Sequence, residues 1–501
     1  MSAKPKLRRR EFWLLLGACV LILVLVPVVR HYQLRATARA YVAQLRAQGE
    51  KLDLAEVLPP VVAPDAEASA VLLEAAALLA TNRNVLYRNP PQALQMVAPG
   101  RAQIGWQQPA VVDGPVSNSW AEVEAALAQD DAVLPLLRQL PPRPAFDFNL
   151  PYDQGIDKIR LPHLVASRKI AQRLSAAVLV ELHRGDAATA ATDVRAMLAL
   201  VQGLAHDRMF ITELVRMANT HLAVGASWEL LQAPNVSDSE LAALQQDWAA
   251  LEFIRPGENA LLMERAEWRR QLDKWRDSSI ALREDLGYSP LTWDELLSAE
   301  DLQANLRRIK YRMDLLRWRY WWSYADELHA LQSEQVVLGT LRQARTNESM
   351  FALAEQQDKQ LEALGNAATN SGAGIGPGRF DLRHLLSAPV QVQELFFGKV
   401  MQAETSRRMV VTAIALKRYQ LKNGQFPEKL AELTPDVLPI APIDPMSGQP
   451  FHYRREGADG FLLYSVGKDG VDDGGDASNG SSSKSMYWLK GRDWVWPQPV
   501  R

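Results

Sequence analysis

The feature that most constrains this 501-residue chain is an apolar run near its start, residues 12–29. As an α-helix these 18 residues would span about 27 Å, close to the roughly 30 Å hydrocarbon thickness of a bilayer. Five basic residues precede the run: Lys4, Lys6, Arg8, Arg9 and Arg10. Because positive charge stays on the cytoplasmic side, the pattern predicts a cytoplasmic tail over residues 1–10, an inner-membrane anchor over residues 11–33, and a periplasmic location for the bulk of the chain.

The competing interpretation of this region is a cleaved signal peptide, with the small residues 36–38 as the cleavage site. The apolar run exceeds the roughly 7–15 residues usual for such peptides. In addition, Arg30, His31 and Arg35 stand between the run and that site. Both features favour the uncleaved anchor.

Composition and charge are those of an ordinary globular protein. The chain is 48% hydrophobic and 23% charged, with a formal net charge of −2. This is ample material for a core and too little positive charge for a dedicated nucleic-acid binder, so no nucleic-acid partner is expected. The length favours two or more domains. The single cysteine, Cys19, lies within the apolar run, so the rest of the chain has no disulfide and no thiolate metal site.

Helical periodicity dominates residues 34–370 and predicts a mainly α domain, built as an irregular bundle or a helical repeat. In residues 166–205, two Ala- and Leu-rich amphipathic stretches flank Gly185 and Asp186. Glycine suits a helix C-terminus and aspartate an N-cap, so an αα-hairpin is expected here. This hairpin resembles those of tetratricopeptide-like arrays, but no repeat of about 34 residues accompanies it. The irregular bundle is therefore preferred.

Three other segments of the middle carry separate expectations. Residues 89–119 are rich in Pro and Gly and are expected to form a loop.

Arginines alternating with tryptophans could stack on bases or sugar rings, but packing of the rings between helices is preferred. The tryptophans concerned are Trp268, Trp275, Trp318, Trp321 and Trp322. The glycine run at 370–378 indicates a flexible linker, so residues 371–398 are assigned to a Gly-rich linker and a short helix.

No sequence motif points to a reaction. The histidines are dispersed without an HExxH pair, and neither a GxSxG elbow nor a Gly-x-x-x-x-Gly-Lys-Ser/Thr loop occurs. Carboxylate pairs at 130–131, 300–301 and 326–327 are expected on helix surfaces or ends, where water solvates them. An enzyme would have to assemble its site from dispersed residues.

The C-terminal region, residues 399–501, predicts a small α+β domain. Its expected elements are a helix over 401–422, a short helix over 427–433, turns at 444–445 and 447–448, and hairpin strands over 451–455 and 460–465. Characteristic residues within this order are Tyr419, Asn423-Gly424, Phe426-Pro427, Leu438-Pro439, Asp444-Pro445, Gly448, Pro450, Tyr453 and Tyr464-Ser465-x-Gly467-x-Asp469-Gly470. Together they resemble the C-terminal domain of the major pseudopilin of type II secretion, over about an eighth of the chain.

The resemblance implies a pseudopilin-like fold with a calcium ion in the loop after the hairpin. The residue types there suit calcium independently, because the ion takes about six to eight oxygen ligands, several of them charged. The predicted ligands are Asp469, Asp472, Asp473 and Asp476. The alternative is a solvated acidic turn that binds nothing, and the glutamate of an EF-hand loop is missing.

Taken together, these patterns predict a membrane-anchored envelope scaffold or interaction protein, accessory to secretion or pilus-like machinery and with protein partners in the envelope. The Gly-Phe-Thr-Leu-x-Glu start of processed prepilins is replaced by Arg10-Glu11-Phe12-Trp13, which argues against polymerisation as a true pilin. The alternative is a periplasmic, carbohydrate-active enzyme with a dispersed active site.

Overall fold

The computed structural model describes residues 9–59, 66–80, 94–98, 100–108, 110–113, 116–129, 132–155, 159–285, 302–346, 349–364, 387–478 and 491–500. Over these residues the chain is mainly helical with small sheets, which confirms the mainly α class with a minor β part. Two compact units are present. The first comprises Met1–Val57, Glu264–Val336 and Gln360–Glu394, and the second comprises Leu58–Met263, Val337–Lys359 and Leu395–Arg501.

The helices and strands follow one another along the chain without a strict repeat. The described α-helices are Arg9–Ala47 (α1), Leu54–Val57 (α2), Ala66–Ala80 (α3), Trp120–Ala128 (α4), Val133–Leu137 (α5), Pro162–His183 (α6), Ala187–Leu204 (α7), Phe210–Leu231 (α8), Asp238–Ala250 (α9), Ile254–Asp277 (α10), Ser279–Asp285 (α11), Leu302–Arg317 (α12), Ser323–Gln343 (α13), Met350–Ala363 (α14) and Ser387–Asn423 (α15). The described strands are Leu94–Ala98 (β1), Arg101–Ile104 (β2), Ala110–Asp113 (β3), Val116–Ser119 (β4), His452–Glu456 (β5), Gly460–Ser465 (β6), Trp494–Val495 (β7) and Gln498–Pro499 (β8). A π-helical turn, Trp318–Trp322, joins α12 to α13.

The predicted αα-hairpin is confirmed by α6 and α7. Between them Gly185 adopts a φ of +81°, the left-handed conformation that glycine takes at a helix C-terminus. Asp186 then caps α7, because its Oδ1 accepts a hydrogen bond of 2.9 Å from the backbone N–H of Thr189. The two helices pack against each other and against α8, and this three-helix layer holds much of the second unit's buried apolar surface.

The prediction of a loop over residues 89–119 is wrong for the described residues, which form two β-hairpins. β1 pairs antiparallel with β2, and β3 pairs antiparallel with β4. Gly100, with a φ of +69°, turns the chain between β1 and β2. Strand β8, at the far end of the chain, pairs in parallel with β2. The strands are only four or five residues long and one partner is remote, so no extended alternating pattern marks them in the sequence.

The first unit packs its tryptophans between helices. Trp318 is buried in a cluster with leucines of α10, α11 and α12, and the half-buried Trp268 and Trp275 pack against the same cluster. Trp322 packs against this cluster as well, so the packing interpretation is confirmed for these four rings. Trp321 differs, because 44% of its surface is exposed.

The carboxylate pair at 326–327 was expected on a helix surface or end, solvated by water, and both side chains are instead buried. Asp326 accepts the indole N–H of Trp318 at 2.9 Å, and Glu327 lies 2.8 Å from the guanidinium of Arg276. Buried charges of this kind are tolerated when they are paired and hydrogen-bonded. The partners come from other helical turns or another helix, which spacing along the sequence does not show.

Among the helices that the structure describes, none is both long enough and apolar enough to cross a bilayer. The backbone of the predicted anchor belongs to α1, but the side chains at 10–20, 22–24 and 27 lie outside the described residues. The apolar side chains that are described between residues 21 and 29 are 44–59% exposed. The anchor over residues 11–33 stays a prediction.

Several other expectations fall on residues that the structure does not describe. They concern the carboxylate pairs at 130–131 and 300–301 and the glycine run at 370–378.

The C-terminal α+β elements follow the predicted order, with one correction at the start. The long helix begins at Ser387 rather than at 401, so the short helix expected within 371–398 is continuous with it. The hairpin strands are β5 and β6, and β7 adds to β6 as a third antiparallel strand. The predicted short helix is a 3₁₀ turn over Leu430–Leu433.

Candidate functional site: the acidic loop and a cavity in the same unit

The acidic loop follows β6 and is shaped by glycines with positive φ. Gly467 and Gly470 have φ values of +68° and +70°. A Cβ atom at Gly467 would overlap the carbonyl oxygen of Arg492, and one at Gly470 would overlap the ring of Phe351. Both positions therefore require glycine on grounds of backbone conformation and space.

Two of the four predicted calcium ligands accept hydrogen bonds from residues close by in the chain. Asp469 accepts from the N–H of Val471, and Asp476 accepts from the N–H and hydroxyl of Ser478. The latter two hydrogen bonds lower the pKa of Asp476. These are the Asx-type turns that aspartates commonly make with residues two positions on.

The carboxylates of the other two predicted ligands, Asp472 and Asp473, also contact residues more distant in the sequence. Asp472 accepts from the N–H of Gly474 and the hydroxyl of Tyr464, both at 2.9 Å, and these bonds lower its pKa. Its second oxygen lies 3.3 Å from Nδ1 of His452. The carboxylate of Asp473 lies 3.6 Å from the guanidinium of Arg492. The loop is thereby connected to the hairpin and to the segment before β7.

The residue that organises the loop is Asp493, which we did not predict as a ligand. Its Oδ2 accepts three backbone N–H bonds, from Asp473 at 3.1 Å, Gly475 at 2.7 Å and Asp476 at 3.2 Å. The side chain is 0% exposed, and burial raises its pKa. Its Oδ1 is buried without a hydrogen-bond partner in the described part of the chain. A carboxylate oxygen in that position is costly unless something pairs with it.

The donor set of this loop has the chemistry of a calcium site, although it is not preassembled. Across the described ranges, no three His, Cys, Asp or Glu side chains are grouped so that they could hold a metal ion. The loop and Asp493 nonetheless supply hard oxygen donors of the right type: Oδ1 of Asp493, which has no hydrogen-bond partner among the described residues, the aspartates of the loop, and its backbone carbonyls. Calcium prefers such oxygens and tolerates irregular geometry. The residues therefore fit the ion in type.

A cavity of about 440 Å³ lies elsewhere in the same unit, lined by residues of α15, the β5–β6 hairpin and the chain end. Burial lowers the pKa of Lys417 on its wall, and nearby Asp459 opposes that shift. Oε1 of Gln420 is buried there without a hydrogen-bond partner among the described residues. Phe461 and Trp496 supply aromatic surface. The volume lies within the roughly 300–1,000 Å³ of small-molecule sites, and the lining combines aromatic with polar and charged groups.

Glu456 and Arg101 also line this cavity. Glu456 is held by other groups, because it lies 2.9 Å from the guanidinium of Arg454 and accepts from the side-chain amide of Gln498 at 3.0 Å. The lining thus carries both signs of charge, and one of its two carboxylates is already paired.

Comparison with known proteins gives no match: no family model, no curated protein and no solved structure aligns significantly with the chain. Function is therefore inferred from the chain's own residues.

Proposed function

We propose that this protein is an envelope scaffold or interaction protein, anchored in the inner membrane by residues 11–33 with most of its chain in the periplasm. Its C-terminal domain is pseudopilin-like and calcium-stabilised, accessory to secretion or pilus-like machinery. Support comes from the order of elements, in which the long helix α15 leads into an Asp-Pro turn, a three-stranded sheet and an acidic loop.

The observation that carries the calcium proposal is Asp493. Oδ2 of this residue accepts from the backbone of the acidic loop, and its Oδ1 is buried without a hydrogen-bond partner among the described residues, in a segment whose sequence supplies up to four further carboxylates. A bound calcium ion would neutralise these charges and hold the loop against β7. The residues that would hold it are Asp493 with members of the set Asp469, Asp472, Asp473 and Asp476.

The test is calcium titration into the full chain in detergent micelles, followed by calorimetry and thermal unfolding. Wild type should bind saturably and unfold at a higher temperature with calcium. Both effects should disappear in Asp493→Asn and weaken in Asp469→Asn, which loses only one local contact. Asp436→Asn, on an exposed residue of the same domain, should behave as wild type. No binding heat up to about 10 mM calcium, well above the ~1 mM dissociation constants of weak extracellular sites, would reject the proposal.

The anchor rests on the sequence and on the uncovered apolar side chains of α1 between residues 21 and 29. We expect the expressed protein to resist alkaline carbonate extraction and to be digested by protease added from the periplasmic side. The double variant Leu21→Lys, Leu25→Lys should become extractable, because each central lysine costs about 2.5–3.5 kcal/mol in a bilayer. An unchanged extraction profile in this variant would reject an anchor at these residues.

The second candidate function is binding, or turnover, of a carbohydrate in the 440 Å³ cavity. The observation behind it is the combination of aromatic surface with Lys417 and Asp459 on one wall. Titration of oligosaccharides, followed by tryptophan fluorescence, should give saturable binding that Lys417→Ala weakens. Lys422→Ala, an exposed lysine on the same helix, is the matched control. Equal responses in both variants would remove this candidate.

A further inference from the structure

One face of residues 309–321 is apolar and exposed over the side chains that the structure describes. The side chains on it, each 38–54% exposed, are Ile309, Met313, Leu316, Tyr320 and Trp321. At about 100° per residue, the three on α12 lie within roughly 60° of one another. The opposite face carries the buried Leu315 and Trp318. This segment therefore has an inner apolar face that packs in the first unit and an outer one that the chain leaves open.

Basic residues flank this outer face on both sides. Lys310 and Arg317 fall along one edge and Arg312 along the other, by the same helical geometry. Residues 302–321 contain six basic residues and one acidic residue, a net charge of +5. An apolar stripe with aromatic rings and flanking cations is typical of helices that lie in the interface of an anionic bilayer.

The position of this face relative to α1 agrees with such a location. α1 packs against the π-helical turn that follows α12. The ring of His31 lies edge-on to the ring of Tyr324, with 5.2 Å between centroids. His31 comes two residues after Val29, where the apolar run ends. Tyr320 and Trp321 precede Tyr324 by about one turn, so they lie near the level at which the anchor would leave the bilayer, the depth that Tyr and Trp prefer.

We propose that the outer face of α12 and the adjoining π turn lies on the membrane surface and binds anionic phospholipid. This inference rests on the proposed anchor in α1, which would hold the face beside the bilayer. Charge decides between occupants, because an apolar stripe flanked by Lys310, Arg312 and Arg317 is complementary to anionic headgroups above acyl chains. The contact would fix how the periplasmic part stands on the membrane.

The test places a fluorophore on the face in the full chain. In a Cys19→Ala background, Met313→Cys is labelled with bimane, and the protein is reconstituted into phosphatidylcholine–phosphatidylglycerol vesicles carrying a nitroxide near the headgroup end of the acyl chain. Val165→Cys, exposed on α6, is the control. An apolar face buried about 5–10 Å into the interface should lose roughly half of its emission to the quencher. The control should lose none, and omitting phosphatidylglycerol should reduce the loss at residue 313.

The outcomes separate this inference from the anchor. Protein that stays with vesicles through an alkaline wash, but whose Met313→Cys label is quenched no more than the control, retains the anchor and overturns the inference. If the protein binds vesicles only at low salt and its label is quenched, the membrane contact of this face is supported and the anchor is rejected. Absence of binding overturns both. Disulfide crosslinking of two Met313→Cys chains without lipid quenching would assign the face to a second copy instead.

Discussion

The Oδ1 of Asp444 accepts a hydrogen bond of 2.8 Å from the Oγ of Ser465. This bond connects the Asp-Pro turn to the end of β6. The same carboxylate accepts from the backbone N–H groups of Met446 at 2.9 Å and Val466 at 3.3 Å. Asp444 is 0% exposed, and burial raises its pKa, while these donors oppose that shift. One buried side chain thus holds two pieces of the C-terminal domain together.

Replacing Asp444 by Ala should lower the free energy of unfolding by about 2–3 kcal/mol, because several buried donors would lose their acceptor. Asp444→Asn keeps one acceptor oxygen and should cost less. Urea unfolding at neutral pH measures both. The exposed Asp436→Ala should stay within about 0.5 kcal/mol of wild type. A loss in Asp444→Ala no larger than in that control would contradict the assigned role.

Removing the N-cap of α7 by Asp186→Ala should cost about 1 kcal/mol. Hydrogen bonds from the N–H and hydroxyl of Thr189 lower the pKa of Asp186 in the folded state. A lowered carboxyl pKa contributes stability that is present above the unfolded value of 3.8 and is lost as the pH falls through the folded value. The difference between wild type and Asp186→Ala should therefore shrink on acidification. Asp186→Asn, which can still cap, is the matched control, and a difference independent of pH would contradict the charged cap.

Glu264 should make the stability depend on pH. Burial raises its pKa to about 7, and the nearby Glu267 adds to the shift. A raised carboxyl pKa contributes stability that is complete below the unfolded value of 4.5 and is lost as the pH rises through about 7. Glu264→Gln stays neutral, so it should gain roughly 2–3 kcal/mol over wild type at alkaline pH and nothing in acid. Denaturant midpoints across the pH range test this. The exposed Glu362→Gln should follow wild type throughout.

Trp318→Phe should destabilise the first unit by about 1–3 kcal/mol, because Asp326 would lose the indole N–H that it accepts at 2.9 Å. The measurement is thermal or urea unfolding of the full chain in detergent. Trp321→Phe is the matched control, since Trp321 is a neighbouring tryptophan on the exposed side of the same turn. If both variants lose the same stability, the buried hydrogen bond is not what distinguishes Trp318.

Predictions based on contiguous residues were confirmed where the deciding interaction is local. The α6–α7 hairpin follows from Gly185 and Asp186, which act within one helical turn of each other. The β5–β6 hairpin follows from period-two alternation around a short turn. The start of α15 was placed too late, at 401, because residues 387–398 were assigned to a separate short helix after the glycine run.

The candidate site was predictable only in part, because one of its residues comes from a distant part of the sequence. The acidic loop is visible in the sequence as a cluster of Asp and Gly. Asp493, in contrast, lies 17 to 20 residues after the loop residues from whose backbone N–H groups it accepts hydrogen bonds. The sequence contains Asp493 in a tail with tryptophans, and nothing in its neighbours marks it as buried.

The sequence by itself determined the helical character of this chain, the αα-hairpin, the C-terminal β-hairpin and the acidic loop, because each is set by backbone propensities and contacts within a few residues. Tertiary structure alone decided that β8 pairs with β2, that Asp326 and Glu327 are buried, and that Asp493 closes the acidic loop. Contacts between distant segments form only when the packed core offsets the entropy of closing the chain between them. These long-range contacts depend on the whole fold, so no local sequence pattern predicts them.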